Sequence, residues 1–362
     1  VSYGDTVTIT GVMKTPESFE SGEGRSFNYP QYLAARGISY QIDFAHTEVH
    51  AHGGNVLVRA SLAVKSAYIR GLRVVLPEPF AGLAAGITAG DKRSVGSELA
   101  DTFQRVSLVH ILVLSGYNIT VVMSALLRLF SGLSRLPKLV VSLGTVLFFI
   151  LISGAAPSSV RAGAMAFAAV FANQYGRQFV ALRVLCAVVV CMVVWNPYIL
   201  AFDPGFQLSV LATLGLILFA GDLSARLRLV TERFAIREIV AATLSTQIAV
   251  LPLLLYQNGV LSLVALPTNI LALIAVPLAM AFSLLAAIAG FVLGTWGVLF
   301  GLPAYLLLRY IVLIAETFGS ISFASVNMQA FSAWWLLVAY VMLAGVYFAL
   351  SRKKAGEIPA IR

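Results

Sequence analysis

Charge is what this sequence has least of. Only 11% of its 362 residues are Asp, Glu, Lys or Arg and 59% are hydrophobic, whereas soluble domains carry roughly 25% charged residues. That balance excludes a chain bathed in water on all sides. Cysteine is nearly absent. Cys186 and Cys191 both fall in an apolar segment, which excludes a disulfide framework or thiolate metal site and predicts two buried, inert thiols. The chain opens at Val1 without a basic n-region or apolar h-region, predicting no signal peptide and a strand already under way from missing upstream sequence. A nucleotide-phosphate loop, a zinc-protease helix and a nucleophile elbow are also missing, so the expectation is a non-enzyme that needs no cofactor.

Long apolar runs stand where charge is missing. A hydrocarbon core about 30 Å thick needs roughly 20 helical residues. About nine segments qualify, at 107–130, 138–154, 157–176, 180–196, 204–221, 237–257, 264–293, 302–318 and 333–350. The prediction is a polytopic α-helical membrane protein. Alternate connections hold Arg128, Arg135 and Lys138, then Arg177 and Arg183, then Arg226, Arg228, Arg233 and Arg237, then Arg352, Lys353 and Lys354. The loops near 155, 200, 260 and 325 hold no Lys or Arg. Under the positive-inside rule this places the N-terminal domain outside and the C-terminus in the cytoplasm. Much of the net charge of +9 is then topogenic rather than a sign of a soluble anionic partner. Trp195, Trp296, Trp334 and Trp335 lie near span ends, as an aromatic belt requires.

Ahead of the spans, residues 1–53 alternate apolar and polar positions around a polar loop from Pro16 to Gly24, which predicts a small extracytoplasmic β-barrel domain. Residues 54–106 comprise a helix over 54–76, with Arg59, Lys65, Arg70 and Arg73 on one broad face, and a Gly/Ala-rich membrane-proximal stretch after Pro77 and Pro79. The helix reads as interfacial and amphipathic. Residues 107–350 form the transmembrane domain and 351–362 a basic cytoplasmic tail. Pro267 and Pro277 mark 264–293 as two half-helices beside a cavity, and Ser115-Gly-Tyr-Asn118 interrupts 107–130.

Polar side chains at membrane depth mark a pathway, a pairing or an interior network. His110, Ser115, Asn118, Arg161, Asp203, Gln207, Gln247 and Asn269 come from several spans, and one shared lining is more economical than separate satisfaction of each. Plainer readings stand beside it. Asp203 before Pro204 is a good N-cap, Arg161 snorkels from a helix starting at Pro157, and His110 is a satisfied core histidine. Arg309 and Glu316 share a helix face and are candidates for structural intramembrane pairs. His46, His50 and His52 have zinc-donor chemistry but read first as a polar loop, so no metal site is assigned.

These residues carry a resemblance to the ComEC family of DNA-uptake channels. Val109-His-Ile-Leu-Val-Leu-Ser-Gly-Tyr-Asn118 is similar to the family's His-Leu-x-x-x-Ser-Gly-Leu-His segment, and Ser153-Gly-Ala-Ala-Pro-Ser-Ser-Val-Arg-Ala162 to its Gly-Ala-x-Pro-Ser-x-x-Arg-Ala segment. Asn196-Pro197 with Asp203-Pro-Gly-Phe-Gln-Leu-Ser209, then Gln247 to Leu254, Pro267-Thr-Asn269 and Pro277, continue the likeness in order. Gly4-Asp5 and Asn28-Tyr-x-x-Tyr-Leu-x-x-x-Gly-Ile38 resemble the family's external oligonucleotide-binding-type (OB) domain, here partial.

The resemblance implies a channel importing single-stranded DNA through the bacterial inner membrane in natural transformation. Implied partners are single-stranded DNA, membrane lipid, a periplasmic DNA receptor, a cytoplasmic helicase or ATPase, and a separate nuclease. The intramembrane candidates would line the DNA path, with Arg161 near the outer mouth and Asp203 capped or paired with Arg161. Arg25, Arg36 and Tyr29 or Tyr32 would guide the strand. Asn118 stands where many relatives carry His, which counts against titration or metal binding there. No room follows Lys354 for the metallo-β-lactamase-like nuclease domain of many relatives, and an internal fragment of a longer chain is expected. Glu17, Glu20, Glu23 and Glu48 offset the external cations, predicting weak DNA affinity. Two alternatives remain: a secondary transporter of a small solute, favoured by the broken helix, and an intramembrane lipid-modifying enzyme, which needs His110 and Asp203 within hydrogen-bond reach.

Overall fold

The computed structural model describes residues 2–20, 24–91, 94–112, 116–232 and 235–356. Ser115, Glu23, Arg233 and the last six residues of the basic tail lie outside them. The N-terminal strands build a ribbon. In chain order come β1 (Asp5–Lys14), β2 (Phe19–Glu20), β3 (Ser26–Phe27), helix α1 (Tyr29–Ala34) and β4 (Gln41–His52). β1 pairs antiparallel with β4 and β2 with β3, and every sheet among the described residues is two-stranded. Among the described residues the expected small β-barrel is seen only as this ribbon: the segment between the long strands goes into short strands and a helix, and no third long strand joins them. The ribbon bends where Gly11 faces a register shift, and a Cβ there would stand 2.7 Å from the Asp43 carbonyl oxygen.

The helical body begins with α2 (Val56–Val75), whose N-cap Asn55 accepts from the Leu57 amide at 2.9 Å. Then follow α3 (Phe80–Ala89), α4 (Ser97–Arg105), a 3-10 turn at Val109–Leu112, α5 (Gly116–Leu129), α6 (Arg135–Ile152), α7 (Pro157–Gln174), α8 (Ala181–Trp195) and the short α9 (Tyr198–Phe202). α10 (Pro204–Arg226) and α11 (Ile236–Asn258) precede β5 (Val260–Ser262), α12 (Ala265–Leu293), α13 (Val298–Gly319), β6 (Ser325–Asn327) and α14 (Ala333–Gly356). Among the described residues, four helical stretches are long and apolar enough to cross a membrane: α6, α10, α11 and the 55-residue run Ala265–Gly319. That run folds back on itself. Gly294 adopts φ +58° between α12 and α13, and the Tyr310 hydroxyl near the middle of α13 reaches the Leu271 carbonyl near the start of α12 at 3.4 Å.

Two expectations change here. α12 is one continuous helix through Pro277, because Ala275, Val276, Ala279 and Met280 around the proline are buried in packing that tolerates its lost amide. α2 is not simply interfacial. Arg59, Arg70 and Arg73 remain exposed, but its C-terminal half packs on α12 so closely that a Cβ at Gly71 would lie 2.3 Å from the Ala287 carbonyl oxygen, and one at Gly290 would lie 2.2 Å from that of Gly71. Small residues allow this backbone approach where apolar side chains gain little from avoiding lipid.

Around that contact sits the main core, with Leu72 from α2, Leu83 and Ile87 from α3, Phe103 from α4, Val276 from α12, and Leu308 and Ile311 from α13. α3 is enclosed almost throughout. A second cluster joins Ala89, Ile119, Phe149, Ile152 and Ala162, binding α5, α6 and α7 to it. Cys186 and Cys191 are exposed on α8, not buried, since that helix packs few of its residues inward.

Candidate functional site

Polar side chains gather at two places. The first is one end of the helical body, where the N-terminal segment docks. Asp203 caps α10, its Oδ1 accepting from the Phe206 amide at 2.8 Å, and Pro204 at the first helical position starts the helix without an unsatisfied donor. Its Oδ2 is 2.9 Å from Nη2 of Arg36. Only 2% of the Asp203 side chain is accessible, so the guanidinium compensates a carboxylate removed from water. Arg36 in turn lies 3.7 Å above the Tyr32 ring and donates to the Tyr32 carbonyl at 3.2 Å. The capping expectation for Asp203 holds, but its ionic partner is Arg36 rather than Arg161.

Arg25 docks beside it. Its guanidinium donates to the carbonyls of Leu255 and Tyr256, both at 3.3 Å, and of Gln329 at 3.0 Å, an arrangement that satisfies the C-terminus of α11 with a cation. Gly259, at φ +69°, leaves the room: a Cβ there would stand 2.3 Å from Arg25 Cζ. Arg25 is 7% exposed, which removes it as a DNA-guiding group. Asn196 donates to the Ala35 carbonyl at 2.8 Å. Gln207 donates to the carbonyls of Leu200 and Ala201 and accepts from Gln257 at 2.6 Å, tying α9, α10 and α11. β5 and β6 pair at this same end, so the Lys/Arg-free loops near 200, 260 and 325 converge under residues 25–36.

The second place is Arg161, one turn into α7. It is 7% exposed. Nε donates to Ser209 Oγ at 2.9 Å, and Nη1 to Thr213 Oγ1 at 2.6 Å and towards Met165 Sδ at 3.5 Å. Ser209 and Thr213 lie four residues apart on one face of α10, and the Thr213 hydroxyl donates to the Ser209 carbonyl at 3.0 Å. Every one of these partners is neutral. No carboxylate among the described residues pairs with Arg161, so its charge is held by hydroxyl dipoles. Snorkelling is excluded, because the side chain turns into the helix bundle.

The other candidates disperse. Asn118 is buried at the start of α5 and donates to the Ile87 carbonyl of α3 at 2.9 Å. Asn269 is 5% exposed on α12, with no partner among the described residues for its side-chain oxygen. Gln247 is half-buried on α11. His110 is exposed and hydrogen-bonds the Ser107 carbonyl through Nδ1 at 3.1 Å, so it is neither a core histidine nor a partner of Asp203. Arg309 and Glu316 are both exposed on α13 and neither forms an ion pair with a described residue, so no structural pair is seen for either. Ser115 lies outside the described residues.

On the ribbon the histidines separate rather than cluster. His50 shares a 2.7 Å hydrogen bond with the Thr8 hydroxyl, His52 sits 2.7 Å from Asp5, and His46 is 3.9 Å from Glu48. The His52 hydrogen bond, helped by the Ser2 amide, holds the Asp5 carboxyl below the ordinary carboxylate range. No group of three potential metal ligands forms among the described residues.

An α-helical membrane protein with a buried cation and a docked β-ribbon is the class these features define. The chain belongs to the competence protein family, whose model, described as "Competence protein", matches residues 87–353. It is 24% identical over 258 residues to "ComE operon protein 3" of Bacillus subtilis (strain 168), an alignment covering 71% of this chain and 32% of that protein. The chain thus spans about a third of the length of that curated relative. No solved structure matches.

Proposed function

We propose that this chain forms a channel importing single-stranded DNA across the bacterial inner membrane during natural transformation, with the N-terminal ribbon on the extracytoplasmic side and the C-terminus in the cytoplasm. Family membership supports a role in competence. The observation that carries the reading further is Arg161, a cation inside an apolar helical body with only neutral partners. Such a charge is costly in lipid surroundings unless it faces water or an anion, and a DNA strand brings one phosphate per nucleotide. Asn118 and Asn269 are the other buried amides of the proposed lining, with Gln207 and Gln247 less enclosed.

Orientation is supported by the convergence of the Lys/Arg-free loops under residues 25–36, and by exposed Trp195 and Trp334 at that end and Trp296 at the other. The nine helices that meet the nine apolar segments are read as spans, the shorter ones crossing within the bundle. The ribbon is read as the partial OB-like element. The proposed partners are the DNA strand, membrane lipid, a periplasmic DNA receptor, a cytoplasmic helicase or ATPase and a separate nuclease, with no catalytic step on this chain. The continuous α12 withdraws the support for a solute transporter, and the separate engagements of His110 and Asp203 withdraw that for a lipid-modifying enzyme.

The test is DNase-protected uptake of labelled DNA in cells lacking the gene, complemented with the full-length protein carrying wild-type Arg161 or Arg161→Ala. Uptake is expected to return with the wild type and not with the variant at equal membrane abundance. Full uptake with Arg161→Ala removes Arg161 from the path, and unchanged uptake without the gene removes the import reading.

A further inference from the structure

Arg309 stands exposed near the middle of the 22-residue α13, within the most apolar of the four membrane-length stretches. At 1.5 Å per residue it lies about 15 Å from either end of the helix, farther than an arginine side chain reaches. A cation at such depth is costly in lipid and as a rule faces the bundle interior or a water-filled cavity. Exposure excludes the interior. Nor is Arg309 alone on its side, because α4 packs along the C-terminal half of α13. Thr102 and Val106 lie 3.3 and 3.6 Å from where a Cβ on Gly319 would stand. Ser94, just ahead of α4, closes on Gly82 next to Phe80, whose ring meets that of Tyr305 edge-on at 4.9 Å. The two helices therefore run parallel, and Leu99, Phe103 and Val106 of α4 share a core with Leu308, Val312 and Ala315 of α13. In a parallel pair, residues just ahead of the contact line on one helix and just after it on the other turn to the same side, as g and e positions do in coiled coils. Glu98 and Arg105 precede Leu99 and Val106, and Arg309 and Glu316 follow Leu308 and Ala315; all four are exposed. Seven residues before Arg309 the same face carries Leu302, beside Tyr305 and its contact with Phe80, so the polar strip ends at Arg309.

We infer that Glu98, Arg105, Arg309 and Glu316 line a water-filled groove that enters the membrane along α4 and α13 and stops at Arg309. Lipid on that side would meet two cations and two carboxylates, whereas Leu299, Leu306 and Leu313, further round the exposed surface of α13, suit hydrocarbon. Water solvates both signs at once. In the proposed orientation the groove opens on the extracytoplasmic side, since Gly319 precedes the Lys/Arg-free loop near 325. The choice of a phosphodiester strand as occupant, held at Arg309 and loosened by the carboxylates, rests on the import reading; the groove itself rests only on α13 being a span.

Single cysteines are placed in the full-length protein, with Cys186→Ser and Cys191→Ser removing the two exposed native thiols, and right-side-out membrane vesicles are treated with a charged, membrane-impermeant methanethiosulfonate. The reagent reacts with thiolates, which form in water and not in hydrocarbon. Arg105→Cys, Glu316→Cys and Arg309→Cys are expected to be labelled, and Leu302→Cys, Leu306→Cys and Leu313→Cys to stay free. Arg309→Cys left free while Arg105→Cys is labelled overturns the groove, because the charges are then only a surface. Equal labelling of all six also overturns it, because α13 is then outside the lipid. Should Arg309→Cys not reach the membrane, Glu316→Cys decides, and its failure to label overturns the groove. Labelling does not require uptake, so the groove stands or falls apart from the import reading. Preloading with oligothymidylate is expected to slow labelling at position 309; unslowed labelling there upholds the groove and overturns the strand as its occupant.

Discussion

Breaking the Arg36–Asp203 pair should release the N-terminal segment from the helical body. The Asp203 carboxylate has two donors, the Phe206 amide and Arg36, and almost no access to water. Arg36→Ala leaves it with one. A lost hydrogen bond to a charged group costs about 1.5–3 kcal/mol, and breaking a fully buried pair about 3–5. Arg36 is 37% exposed, so screening and water access place the expected cost at the lower figure, about 2 kcal/mol. Asp203→Ala adds the loss of the cap, about 1 kcal/mol, for about 3 in all. Asp203→Asn keeps the cap and loses only the ionic part.

Hydrogen exchange in nanodiscs reads this locally through α1, whose amides open when the segment undocks. About 2 kcal/mol corresponds to roughly a thirty-fold faster exchange over residues 29–36. The double variant should exchange no faster than Asp203→Ala, because the same interaction is removed once. Additive effects of the two single changes, or Arg36→Ala exchange equal to wild type, would refute the pairing as the clasp that holds this segment.

Further predictions concern close approach and protonation. Gly259→Ala forces an L side chain into φ +69° and a methyl into Arg25, costing about 2–4 kcal/mol of docking; faster trypsin cleavage after Arg25 checks it. Gly290→Ala pushes a methyl into the Gly71 carbonyl and should cost about 1–3 kcal/mol by overpacking, whereas Gly144→Ala, which meets nothing within 4 Å in α6, should stabilise by up to about 1 kcal/mol; thermal midpoints in one detergent compare them. Asp5 titrates below its ordinary 3.8 when folded, so its contribution to the ribbon is present above that value and lost as pH falls through the lower, folded one. Exchange of the strand amides should therefore accelerate at acid pH below 3.8, and Asp5→Asn should abolish that acid dependence.

Composition and periodicity, which are local properties, were enough to read the class of this protein, the positions of its long apolar helices and several of their ends, but not the short helices α1, α3, α4 and α9. Asp203 and Pro204 announce the start of α10 because capping involves residues within one turn. The interruption expected at Ser115 to Asn118 falls partly outside the described residues, and α5 already runs from Gly116 through Asn118. That Arg161 is anomalous was legible too, since a cation in an apolar run is out of place wherever it points. Its partners were not, although the four-residue spacing of Ser209 and Thr213 is a signal that a search for hydroxyl pairs on facing helices would have met.

Only the tertiary structure decided which groups meet. Arg161 and Ser209 are 48 residues apart and Arg25 and Gln329 304, and such pairings depend on helix rotation and on the docking of separate elements. That is why Asp203 takes Arg36 instead of Arg161, why Arg25 and Arg36 become clasps, and why Arg309 and Glu316 stay apart on one face. It is also why α2, amphipathic in sequence, sinks half its length against α12: its charge pattern is local, but the fit of Gly71 to Gly290 exists only once both helices are in place.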